Sequence, residues 1–220
     1  MKKSKVLLPR IPKLLENELI IDGAVRTEEC YCFGRISHCT IHDQDAEKVV
    51  FEQVVFQNVI FENVFFPYID LSDVEFRQCD LSNVHVSHAV MHRVKFDQCK
   101  MVGMNADDTY LRNITFHHCT GNYASFYGTN MKQVAFDGCV LSGSDFSSAT
   151  LSKINFGQSN IDKAQFLVTK LEGIDLSSCS FQSIAVTVEC LSGCIISPEQ
   201  AAIFAKALGL IVKDPYSEQG

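Results

Sequence analysis

From Phe51 onward an apolar residue recurs at every fifth position. The series opens with Phe51, Phe56, Phe61, Phe66, Leu71 and Phe76 and keeps one phase to Ile196, thirty positions in which only Gly121 is not apolar. Two residues before each runs a second series, beginning Val49, Val54, Val59, Val64, Ile69, Val74 and Cys79, mostly small or β-branched and interrupted by Glu189. The positions between are mainly Asp, Asn, Ser, Gln, Lys and Gly. A period of five fits neither a 3.6-residue helix nor a two-residue strand alternation. Each pentad is therefore predicted to turn two side chains inward and three outward.

A longer period lies beneath the first. Phe56, Phe76, Phe96, Phe116, Phe136 and Phe156 stand twenty residues apart, and the inward positions before them are Val54, Val74, Val94, Ile114, Val134, Ile154 and Ile174. Phe126, Phe146 and Phe166 form a second aromatic set half a repeat away, while the remaining two positions carry mainly Leu, Met and Ile. Twenty residues therefore make one coil of four sides, and residues twenty apart lie over one another. Coils stacked like parallel strands rise by about 4.8 Å each.

Units such as Cys79-Asp80-Leu81-Ser82-Asn83 and Ser144-Asp145-Phe146-Ser147-Ser148 resemble the pentapeptide repeat. The resemblance covers residues 36–196 and implies an all-β fold, a right-handed quadrilateral parallel β-helix with one pentad per side. The expected organisation is an N-terminal arm and cap (1–35), the β-helix (36–196), a C-terminal helix-strand segment (197–213) and a tail (214–220).

Ser197-Pro198-Glu199-Gln200 carries a capping box with proline in the first turn. Ala201, Phe204, Ala205 and Leu208 share one helical face, Gly209 ends the helix, and Leu210-Ile211-Val212 reads as a short strand. This segment resembles that of the quinolone-resistance (Qnr-like) pentapeptide-repeat proteins, in which it joins two rods end to end. The resemblance implies a homodimer through Ala201, Phe204, Leu208, Leu210 and Val212. A monomeric cap is the alternative.

At the other end, Lys2, Lys3, Lys5, Arg10 and Lys13 suggest a solvated basic arm, with contact to an acidic surface as the alternative, and residues 14–21 a short helix or an irregular first coil. The outward positions Val50, Val55, Ile60 and Phe65 are unexpectedly apolar. They are expected to form a belt that the N-terminal segment covers in part, with a partner site as the alternative.

Composition narrows the function. The chain is 46% hydrophobic with a formal net charge of -7, which disfavours direct nucleic-acid binding. No apolar run approaches the ~20 residues of a membrane helix, and the basic start lacks a signal-peptide core, so a cytoplasmic location is expected. Of the ten cysteines, Cys39, Cys79, Cys99, Cys119, Cys139 and Cys179 fall in one inward column, where they act as small core residues. His85, His88 and His92 turn a corner and are read as surface residues. No carboxylate pair, phosphate loop or nucleophile elbow is present, and a square rod offers no large pocket, so no cofactor, metal or catalysis is expected.

Function is then left to the outer surface. Asp70, Asp73, Glu75 and Asp80 fall within one coil, with Asp107 and Asp108 nearby, as the candidate partner surface; His92, Arg93, Arg112, Lys132 and Lys153 form a mildly basic stripe. The expected role is a non-catalytic scaffold for a protein partner. The alternative implied by the Qnr-like resemblance is a DNA-mimicking binder of DNA gyrase or topoisomerase IV that gives quinolone protection. Good protectors in that group carry loops between coils. Here the unbroken phase leaves only residues 101–110 and the surroundings of Gly121 as loop candidates.

Overall fold

The pentad closes into a square because every fifth residue from Glu28 to Lys153 takes a left-handed backbone conformation. In one coil Gln53, Asn58, Asn63 and Tyr68 have φ between 53° and 59°. Each such residue turns the chain, and four turns bring it back over its start. An L-residue in this region costs about 1–2 kcal/mol, least for Asn, Asp and Gly, which accounts for the polar, Asn- and Gly-rich character of the corner positions.

The computed structural model describes residues 5–13, 15, 17–21 and 23–213. It forms a parallel β-solenoid of about 8 turns. The strands are β1 (Cys30–Ser37), β2 (Thr40–Asp45), β3 (Val50–Gln57), β4 (Ile60–Phe65), β5 (Asp70–Arg77), β6 (Val90–Asp97), β7 (Tyr110–His117), β8 (Asn130–Asp137), β9 (Thr150–Ser152), β10 (Ala164–Phe166) and β11 (Ile184–Val186), followed by helix α1 (Pro198–Ala207). Pairing is parallel at a register of twenty, as in Phe56↔Phe76 and Phe96↔Phe116. The largest sheet runs β1-β3-β5-β6-β7-β8-β9 and covers two adjacent sides of the rod. The sides centred on Phe51, Phe56, Phe61 and Phe66, with the residues stacked on each, are called first to fourth below.

The aromatic column is stacked as the period requires. Ring centroids from Phe56 to Phe76, Phe96, Phe116 and Phe136 are 4.7–4.8 Å apart, with interplanar angles of 3–8°. Phe126, Phe146 and Phe166 stack at 5.1 Å on the fourth side and meet the first column edge-on. The second inward series also satisfies backbone. Cys99, Cys119 and Cys139 direct their thiols at the carbonyls of Phe76, Phe96 and Phe116 in the coil before, and Ser159 and Thr169 repeat the contact with hydroxyls. A small side chain with a donor fits there, so Cys, Ser and Thr interchange. Cys79, Cys99, Cys119, Cys139 and Cys179 are buried as expected, whereas Cys39 is exposed, because it stands in the first coil at the open end of its column.

Both ends are sealed by a buried glutamine. At the N-terminal end Gln44 accepts from the Val25 N–H at 2.6 Å and donates to the His42 and Gly23 carbonyls. Leu19 fills the place left by Gly34, where a Cβ would lie 2.5 Å from the Leu19 side chain. Glu18 pairs with Arg35 as an added strand, so this segment is an irregular coil and not a helix. At the other end Gln200 donates to the Leu176 and Cys179 carbonyls at 2.8 and 2.9 Å, and Phe204 packs edge-on against Phe181. Ser197 and Gln200 form the capping box. The short strand expected at Leu210-Ile211-Val212 does not form. A strand needs a neighbour to pair with, and the single chain offers none there.

Candidate functional site

The core of the lower coils is closely filled. The void beside Phe51, Phe76 and Phe96 has about 20 Å³, lined wholly by apolar side chains, space for one water at most. Residues 101–110 and Gly121 continue the coil, with Met104, Ala106 and Thr109 buried and regular ladder bonds at Gly103 and Gly121. No loop leaves the rod there.

The edge between the first and second sides carries the most organised surface. Its corner residues are Asp73, Arg93, Asn113, Gln133 and Lys153, one per coil. The N-terminal segment lies along this edge. The Arg10 N–H donates to Asp73 Oδ1 at 2.8 Å, the Leu7 N–H to Asn113 Oδ1 at 3.2 Å, and Gln133 Nε2 to the Lys5 carbonyl at 3.3 Å. Three residues of extended chain span ~10 Å, which matches the two coils from Asp73 to Asn113. The solvated arm is thus corrected: its main chain is seated on the rod, while the Lys5, Arg10 and Lys13 residues stay exposed. Lys2 and Lys3 lie outside the described residues.

Asp73 is the anchor. Its carboxylate takes Arg93 through both oxygens, at 2.5 and 2.6 Å, as well as the Arg10 N–H. Burial works to raise Asp73, and the Arg93 guanidinium with the Arg10 N–H outweighs it, so its pKa lies below the usual carboxylate value. Asn113 is 2% exposed and equally committed. Asp73, expected in the partner surface, and Arg93, expected in the basic stripe, are instead paired with each other. The available signal was the opposite charge of Asp73 and Arg93 twenty residues apart, which puts them in contact.

The remaining acidic candidates are not brought together. Asp70 projects from the first side, Glu75 from the second and Asp80 from the third, so residues close in sequence point in different directions. Glu75 pairs with Arg77 at 2.6 Å and Lys95 at 3.5 Å, and Asp80 with Lys100 at 3.7 Å. Asp107, on the fourth side, is bonded to Ser125 and to the Tyr127 N–H, and Asp108 stands at the next corner with φ of 54°. The acidic surface is therefore divided and partly neutralised.

Histidines are equally dispersed. His85 packs on Phe65, His88 on Tyr68, and His117 pairs with Asp97 at 2.7 Å. Among the described residues no group of three or more His, Cys, Asp or Glu could hold a metal ion. Of the apolar belt, Val55 is buried and Val50 half-buried, whereas Ile60 and Phe65 stay 51% and 41% exposed. Burial is thus greater on the first and second sides than on the third and fourth, and the belt is not uniform around the coil.

A wedge opens higher in the rod, where no pocket was expected. On the first and second sides pairing runs as far as Met131↔Leu151 and Ala135↔Asn155 and resumes with the Leu171 N–H on the Cys190 carbonyl and at Asp175↔Ile195. Between residues 150–156 and 170–176 no ladder bond or bridge forms, although the third and fourth sides remain joined through Asn160↔Ser180 and Gln165↔Ala185. Leu151 and Ile154 are half-exposed, unlike Met131 and Val134 one coil before. A Cβ on Gly173 would meet nothing within 4 Å. The gap beside Ser148, Leu151, Lys170 and Glu172 measures about 440 Å³.

The structure is a four-sided parallel solenoid whose core is filled except at the wedge. Family comparison agrees: residues 89–166 match the pentapeptide repeat region and residues 69–105 the pentapeptide repeats of eight copies. Across residues 69–166 the chain is thus built of pentapeptide repeats. Similar solved structures include a trypsin-treated variant of QnrB1, a plasmid-mediated fluoroquinolone resistance protein (16% identity over 87% of this chain and 100% of that one, TM-score 0.43). HetL of Nostoc sp. strain PCC 7120, involved in heterocyst differentiation regulation, shares 12% over 78% and 86% of the two chains, TM-score 0.36. A pentapeptide-repeat protein of the Arabidopsis thaliana thylakoid lumen shares 18% over 58% and 75%, TM-score 0.33. No likeness at these values carries a functional argument. No curated protein matches the chain. No helix among the described residues is long and apolar enough to cross a membrane.

Proposed function

We propose that the protein is a non-catalytic interaction scaffold that binds a protein partner along its sides and pairs with a second copy at its C-terminal end. The observation that carries this reading is the seat of residues 5–10: side chains in one corner column bind an extended polypeptide mainly through its main chain. The closely filled core of the lower coils supports it by leaving their outer surface as the place for recognition. The C-terminal contact is supported by exposure of Leu208, Leu210, Ile211 and Val212 at 38%, 62%, 89% and 41%, next to a backbone stretch with no strand to pair with.

The alternative is a DNA mimic acting on DNA gyrase or topoisomerase IV. It rests on the resemblance of the C-terminal segment and on the net negative charge. It is weakened by the division of the acidic residues among several sides and by their pairing with Arg77, Lys95 and Lys100. A gyrase supercoiling assay with and without ciprofloxacin separates the readings. Protection by the rod favours the mimic, and indifference of the enzyme removes it. For the scaffold, the intact chain is used as bait beside a variant with Asn113→Arg. A partner retained by the first and lost by the second supports the edge as the contact; equal capture by both refutes that placement.

A further inference from the structure

Cys30 and Cys32 stand apart from the other cysteines. They flank Tyr31 on the first side of the first coil, between corners at Glu28 and Phe33 with φ of 64° and 58°. Tyr31 turns inward and stacks on Phe51 at 5.1 Å, so both thiols project outward on the same face. Their sulfurs are 2.9 Å apart. Cys30 is exposed and Cys32 half-exposed. In the coils above, the paired positions hold Val50 and Glu52, then Asp70 and Ser72, so the dithiol belongs to the first coil alone. β1 is also the end strand of its sheet.

From this geometry we infer that Cys30 and Cys32 form a redox-active dithiol that closes to a reversible disulfide on exposure to a peroxide. Cys30, the more exposed, attacks the peroxide: its sulfur gains an oxygen, the O–O bond breaks, and hydroxide leaves to become water. The Cys32 sulfur then attacks the Cys30 sulfenic acid. The S–S bond forms, the S–O bond breaks, and a second water departs with the Cys32 proton. Two thiols are oxidised and one peroxide is reduced to two waters. Burial, with Cys30 beside it, pushes the Cys32 thiol up to about 11, which disfavours Cys32 as the thiol that attacks the peroxide first.

The bond would be strained. Two residues of extended strand separate their Cα atoms by about 6.6 Å, near the top of the ~4.4–6.8 Å range that a disulfide spans. Strained, exposed disulfides are the easily reduced ones. Closing the bond must pucker β1 at Tyr31, loosening its stack on Phe51 and the β1–β3 ladder.

The test uses the full chain. Native protein is treated with hydrogen peroxide, quenched with iodoacetamide and digested with trypsin. Cleavage after Arg26 and Arg35 yields residues 27–35, which contain Cys30 and Cys32 and no other cysteine. The expected result is loss of two hydrogens from this peptide without alkylation, reversed by excess glutathione. Cys32→Ser should leave a sulfenic acid on Cys30 that dimedone traps, and Cys30→Ser should leave none on Cys32. Hydrogen exchange across Cys30–Ser37 should rise on oxidation and fall back on reduction. Full alkylation of both thiols after peroxide would overturn the inference. So would oxidation confined to Cys190 and Cys194, or a disulfide between copies.

Discussion

Replacing Phe116 by Ala tests the stacked interior at its centre. The ring is 1% exposed. It lies parallel to Phe96 at 4.8 Å and Phe136 at 4.7 Å, and meets Phe126 edge-on at 6.1 Å. Truncating a buried Phe to Ala costs about 3–5 kcal/mol, the upper part applying where neighbours cannot collapse into the space. Here they are held by ladders on both sides of the coil, so the cavity should persist and the cost should fall near 4–5 kcal/mol on that scale. The stacked pairs add a measurable coupling: a double-mutant cycle of Phe96→Ala with Phe116→Ala should give about 0.5–1.5 kcal/mol. The same cycle pairing Phe116→Ala with Phe204→Ala, at the far end, should give nearly none. Urea titrations followed by circular dichroism supply both numbers. A loss below about 1 kcal/mol for Phe116→Ala, against the cost of a buried ring, or equal coupling in the two cycles, would refute a column of rings transmitting contact from coil to coil.

Asp73→Ala should free the N-terminal segment and strand Arg93 without its partner, at a cost of about 2–4 kcal/mol; unchanged stability and unchanged exchange in residues 5–10 would contradict the anchor. Because the folded pKa of Asp73 is depressed, its contribution is present above the unfolded carboxylate value of about 3.9 and lost as pH falls through the folded one. Acid titration of wild type should therefore release the segment below about pH 4, and Asp73→Ala should abolish that step. At the wedge, the amides of Leu151 and Lys153 lack the ladder partners found in the other coils and should exchange on the order of 100-fold faster than those of Met131 and Gln133; equal protection would close the wedge. Ile211→Asp should convert a C-terminal dimer to monomer in light scattering, and a wild type that is already monomeric at high concentration would remove the proposed end-to-end contact.

The pentad and the twenty-residue column were legible in the chain because a solenoid's contacts are periodic: each side chain meets its counterpart one coil away, so burial at Phe96 or Cys119 follows from position alone. The capping box at Ser197 and Gln200 was local and equally readable. What the tertiary structure decided is aperiodic. The seat of Arg10 on Asp73 joins residues 63 apart in sequence, and nothing in a basic, proline-containing arm says where it lands. Division of the acidic residues among sides depends on where the corners fall, since one residue of chain separates neighbouring faces. The ladder opens between residues 150–156 and 170–176 although Leu151, Ile154, Leu171 and Ile174 keep the pattern, because periodicity fixes which side chains face inward but not whether two coils hold their backbone spacing. The unpaired Leu210-Ile211-Val212 was read as a strand from its apolar character, and a strand is a property of two segments, not one.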